Sequence, residues 1–183
     1  KPEFKAVVDI HIGIVSSSLG GHGGDQCSEG GPNSNPTQYD NAHLIGTVRP
    51  TAAPPLQSYN NMGFLWWDPT GTKGTAGPGE GSDVAMEANF TNHVKATGEN
   101  GCGYEASLEA WYRFLVDPAP PTKMVKQGDV VVPEAVDTVV LQQRRDFLRP
   151  DSLVAVVMLT DENDCSIIDG GVNWYAAQTT LPN

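Results

Sequence analysis

Residues 152–168 read "SLVAVVMLTDENDCSII". An apolar run over 153–159 gives way to Thr160, Asp161, Glu162 and Asn163, and then to Asp164, Cys165 and Ser166. The run predicts a buried strand. Strands this uniformly apolar are usually covered on both faces by helices, which points to a layered α/β sheet. Two readings of the carboxylates that follow stay open. Asp and Asn are ordinary turn residues at a strand end. They are also hard oxygen ligands for Mg²⁺ or Ca²⁺, and open α/β sheets gather ligands at the carboxyl ends of their strands.

Working outward, "VVDIHIGIVS" (7–16) predicts a second buried strand, "AHLIGTVR" (42–49) a short one and "MGFLWWDP" (62–69) another, closed by Asp-Pro. Gly, Ser and Pro mark loops over 16–36, 49–57 and 70–82. Residues 82–98 predict a helix with Ser82 or Asp83 as N-cap, Gly98 as stop and Val84, Ala88 and Val94 on one stripe. Residues 103–118 predict a second, with Leu108, Trp111, Tyr112 and Leu115 at i, i+3, i+4 and i+7. Residues 120–132 read as a connector. Residues 133–150 predict a third helix, with Pro133 at N1 and Val136, Val139, Val140 and Phe147 on one side. "VNWYAAQ" (172–178) reads as a short helix or an amphipathic tail. The expected architecture is one α/β domain over residues 1–183.

The 183 residues include 20 glycines and 14 prolines, so much of the chain is turn or loop. The net charge of −11 argues against a nucleic-acid partner, which needs clustered Lys and Arg. It suits cation binding and solubility alike. No run approaches 18 apolar residues, so no membrane span is expected. Three cysteines, Cys27, Cys102 and Cys165, allow at most one internal bridge, and their spacing matches no zinc ribbon or finger.

Beyond Asp161, Glu162 and Asp164, candidate ligands sit in "GGHGGDQC", where His22, Asp25 and Cys27 offer zinc-type donors. The same segment reads equally as a loop with a solvated histidine. His11, inside a predicted strand, reads as a hydrogen-bonded sheet histidine, and His43 and His93 are isolated. "GENGCGYEASLEA" (98–110) opens a helix with a Gly-rich turn that suits anion or ligand binding, or simply a tight loop. No Gly-x-Ser-x-Gly, His-Glu-x-x-His or phosphate-loop motif is present, and no organic cofactor is expected.

Three segments, "DIHIGIVSSSLGG", "GENGCGYEASLEAWYRFL" and "RRDFLRPDSLVAVVMLTDENDCSI", resemble the von Willebrand factor A-like domains of secreted or surface proteins of bacteria, particularly the myxobacterial kind. The resemblance implies a doubly wound, Rossmann-like sheet and a metal-ion-dependent adhesion site built from three loops. Asp161 matches the Asp loop after the fourth strand. Residues 98–106 stand where a Thr-bearing loop belongs, with Glu99 or Asn100 in its place. The Asp-x-Ser-x-Ser loop of the first strand occurs nowhere in the sequence. The expectation is therefore a partial domain that begins after the central strand, with an incomplete sheet and a degenerate metal site. The resemblance also implies an extracytoplasmic setting, a possible Cys102–Cys165 bridge with Cys27 left free, and pairing of two copies as a homodimer across the uncovered strands.

Two functions follow as expectations. One is a protein-binding or adhesion-type module. The alternative is a metal-dependent hydrolase of the phosphoester type, with Mg²⁺, Ca²⁺, Mn²⁺ or Zn²⁺ held by Asp161, Glu162, Asp164, His22 and Asp25.

Overall fold

A computed structural model describes residues 5–29, 34–49, 52–71 and 79–180. Parts of the loops expected over 16–36, 49–57 and 70–82 lie outside the described residues. The chain has mixed α/β content and divides into two compact units, one from residues 1–14 and 44–97, the other from 15–43 and 98–183.

In the first unit, strand β1 (Ile10–Ile12) pairs antiparallel with β2 (Leu65–Trp67), in the register Ile10 to Trp67 and Ile12 to Leu65. His11 packs its ring against Phe64 and Trp66, with centroids 4.6 and 4.7 Å away, so it is a sheet histidine. Where residues 42–49 predicted a strand, the chain forms the short helix α1 (Ile45–Val48). The reason is that Leu44 and Ile45 are both fully buried. A strand would send these neighbours to opposite faces, whereas a helical turn buries both. Helix α2 (Asp83–Thr97) has the predicted bounds, and Gly98 follows at φ +71°. Its predicted stripe is not its buried face: Val84 and Val94 are exposed, and His93 is buried with Nε2 2.7 Å from the Gln57 carbonyl.

The second unit holds helix α3 (Ser107–Leu115), the hairpin β3 (Met124–Gln127) and β4 (Val130–Pro133), helix α4 (Thr138–Phe147) and a 3₁₀ turn, Asn173–Ala177. The expected connector is thus a hairpin. Gln127 pairs with Val130 around a two-residue Gly128-Asp129 turn, and Gly128 supplies φ +64°. The third helix starts later than Pro133, which ends β4. Asp137 is its N-cap, accepting from the Val139 and Val140 N–H groups at 2.9 and 3.0 Å. Arg144 on α4 closes the far end of α3 by donating to the carbonyls of Arg113, Phe114 and Asp117. Phe114, Val131, Val140, Trp174 and Ala177 form the apolar centre of this unit.

Residues 153–159 do not form the expected strand, and no described residue pairs with them in a ladder. Leu153, Val157 and Leu159 are 95%, 81% and 87% exposed. The described strands form two two-stranded antiparallel sheets and no layered sheet.

The cysteine pairing differs from expectation. Cys27 bonds to Cys102, and Cys165 is the free thiol. The physical reason lies in which segments meet. The Ser18 hydroxyl accepts from the Cys102 N–H at 3.0 Å, which lays 101–103 beside the glycine-rich loop that bears Cys27. Cys165 instead turns toward Glu105, whose carbonyl accepts its N–H at 2.7 Å.

A bridge over 75 residues restricts the unfolded chain strongly. Paired Cys27→Ser and Cys102→Ser substitutions should lower stability in urea by roughly 2–4 kcal/mol. A thiol-reactive dye on the native, unreduced chain should label Cys165 alone; label at Cys102 would overturn the pairing.

Candidate functional site

The sequence-predicted ligands fall into three separate places. Asp161 and Glu162 are exposed, and with Asp164 they form no converging set of three donors among the described residues. Asp164 is engaged in holding α3. That helix begins at Ala106 with no side-chain cap of its own. Asp164 Oδ1 accepts from the Leu108 N–H at 2.8 Å, and Ser166 Oγ accepts from the Glu109 N–H at 2.9 Å. Orphan donors at a helix start are thereby satisfied from 56 residues away. Burial pushes the Asp164 carboxyl up, but these backbone donors and Ser166 outweigh it and leave it below its usual range. Glu99 and Asn100 are exposed.

Asp25 is a clasp. Its two carboxylate oxygens accept from the N–H and hydroxyl groups of Thr179 and Thr180, at 2.5 to 3.2 Å. The Thr179 N–H leads in pulling its pKa down to about 2. With its lone pairs so occupied, Asp25 is not placed as a metal ligand beside Asp161 or Glu162. The adhesion-type site implied by the resemblance therefore finds no fitting donor set: the Asp-x-Ser-x-Ser loop is absent from the sequence, and Asp164 is committed to backbone donors.

His22 is not a loose loop residue. It is 5% exposed. The loop "GGHGG" is pinned against the 3₁₀ turn: the Gln26 N–H donates to the Ala177 carbonyl at 3.0 Å, and a Cβ on Gly24 would lie 2.3 Å from that same oxygen. Only glycine allows the approach. His22 Nδ1 lies 2.7 Å from Asp169 Oδ1. Asp169 Oδ2 accepts from Arg113 Nη2 at 2.7 Å, and the same nitrogen donates to Glu109 Oε1 at 2.5 Å. Asp169 is held there because Gly171 bridges to Val131 of β4 through both backbone bonds, at 2.8 and 3.0 Å.

The result is a four-residue charged network inside the unit. Arg113 presents only 3% of its side chain to solvent, and its guanidinium is matched by two carboxylates. Burial raises the pKa of Glu109 despite Arg113. Burial also pushes Asp169 upward, but the His22 hydrogen bond and the Arg113 charge prevail and hold it low. One donor atom each from His22, Glu109 and Asp169 lies within 4.8 Å of the others. His22 had been singled out from sequence. Glu109 and Asp169 had not, because nothing local marks them: Glu109 reads as a solvent-facing helix residue and Asp169 as a turn residue.

No family model, curated protein or solved structure matches this chain.

Asp164→Ala should cost about 1 kcal/mol, the usual loss for a removed N-cap. Because its carboxyl is held below its ordinary value of 3.8 in the folded chain, its contribution is complete above that value. It disappears as pH falls through the lower folded value. Urea melts of the two proteins should therefore differ at pH 7, and the difference should shrink as pH is taken progressively below 3.8.

Proposed function

We propose that the chain is a protein-binding module of the von Willebrand A-like kind, with a degenerate metal site, that works by strand addition. The observation that carries this reading is the exposed apolar segment over 153–159, which has no ladder partner among the described residues. An edge of this kind offers a row of free N–H and C=O groups for another strand. Its apolar side chains leave water when that strand and its covering layer arrive. Three helix stripes read from sequence as inward-facing agree with it. Val84 and Val94 on α2, Leu108 and Tyr112 on α3, and Val136 and Val139 at α4 are all exposed. Parts of these faces stand uncovered, while Val140 of the α4 stripe is fully buried. The docking of 164–166 on the start of α3 also suits the resemblance, which sets the Asp loop beside that helix. An extracytoplasmic setting is favoured by the Cys27–Cys102 bridge.

The partner we assign is a second copy. Residues 153–159 carry no charge, so the strand is self-complementary about Val156. Antiparallel pairing sets Leu153 against Leu159 and Val154 against Met158. It also sets Asp151 against Asp161, a like-charge pair that salt relieves. No helix of the described residues is long and apolar enough to cross a membrane, so the partner is not met through a spanning helix.

Sedimentation at micromolar concentration should give a dimer that tightens between 50 and roughly 500 mM salt as the Debye length shrinks. Val156→Lys should yield a monomer with unchanged circular dichroism. A wild-type chain that stays monomeric at both salt concentrations would overturn the proposal.

A further inference from the structure

The network around Arg113 contains more acceptors than donors. Arg113 Nη2 takes one oxygen from each carboxylate, Glu109 Oε1 and Asp169 Oδ2. Of the oxygens left over, Asp169 Oδ1 faces His22 Nδ1 at 2.7 Å. Glu109 Oε2 is buried with no hydrogen-bond partner, and so is His22 Nε2. His22 itself is 5% exposed, so water does not readily reach the ring. Buried polar atoms without partners are uncommon and mark strain, a catalytic role or a missing ion or water. Here two of them belong to residues whose donor atoms converge within 4.8 Å of one another and of Asp169.

The geometry points to a divalent transition-metal site, of the Zn²⁺ class, held by His22, Glu109 and Asp169. The donor set of one imidazole and two carboxylates suits such an ion better than Mg²⁺ or Ca²⁺, which prefer oxygen alone. Each part of the surrounding structure has a role in this assignment. Arg113 keeps hold of the outer carboxylate oxygens, as outer-shell partners orient ligands in known metal sites. Its charge leaves the four groups at −1 with His22 neutral, enough to attract one cation and too little to attract two. The pinned glycine loop keeps His22 from swinging out to solvent. Burial makes an uncompensated Glu109 carboxylate costly, and a bound cation would compensate it. Asp161, Glu162 and the apolar segment at 153–159 contribute no donor to the site, so it stands whether or not the chain dimerises.

The test is a titration of the chelator-treated, full chain with Zn²⁺, and with Co²⁺ as a spectroscopic reporter. One ion per chain is expected, with a visible Co²⁺ band of low-coordinate geometry and a rise in thermal midpoint. Glu109→Gln keeps the size of the side chain and should weaken binding by more than the roughly 10–100-fold that loss of an outer-shell partner costs. Asp161→Ala and Asp164→Ala should bind as the parent does. Since His22→Ala could disturb the loop, the His22 ring resonances of the parent protein give a second readout and should shift with Zn²⁺ at one equivalent. No stoichiometric binding, or binding that survives Glu109→Gln without movement of the His22 signals, would reduce the cluster to an ion-pair network. Loss of binding in Asp161→Ala alone would move the site to the exposed loop and overturn the assignment.

Discussion

The buried guanidinium of Arg113 is the constraint around which the second unit is arranged. A charge taken out of water must be met by opposite charge and by hydrogen bonds, or the helix carrying it will not pack. Glu109, one turn earlier on α3, meets part of the demand. The rest comes from Asp169, 56 residues away. Asp169 can reach it only because Gly170 and Gly171 turn the chain with positive φ and Gly171 bonds to β4. His22 completes the group from the other side. One helix residue thus recruits two distant loops, and the segments between them have to lie where those loops end.

The same helix depends on neighbours for its ends. Its N-terminal donors are met by Asp164 and Ser166, and its C-terminal carbonyls by Arg144. Ala106 at its N-terminal boundary supplies no side-chain cap, while the Val116 N–H at the other end donates to the Tyr112 carbonyl. A helix of nine residues is marginal alone. Its stability here is tertiary, and it ties the acidic loop after 153–159 to the interior of the unit. The chemistry of the acidic stretch follows from this. Asp164 serves the fold, while Asp161 and Glu162 stay in solvent.

Much of the local structure was legible in the residues. The strand over 62–69, the helix bounds at Asp83 and Gly98, and the short turn in 172–178 follow from hydrophobic period, caps and stop signals. The helix stripes were legible as patterns but not as buried faces. Leu108 and Tyr112 repeat correctly for a core, yet Ala110, Arg113 and Phe114 are the residues α3 buries. Periodicity names an apolar face; it does not supply the surface that covers it. The hairpin at 124–133 was missed because its signal is two residues long, Gly128-Asp129, within a polar stretch.

Sequence alone determined composition, charge, the odd cysteine, the apolar run at 153–159 and His22 as one candidate donor, since each depends on residue identity and short spacing. Only the tertiary structure decided which two cysteines meet, that Asp25 and Asp164 are structural, and that His22 belongs with Glu109 and Asp169. Those choices join residues 56 to 155 positions apart. The free energy that selects among such pairings comes from burying a charge and closing loops, and neither is written in any local stretch of the chain.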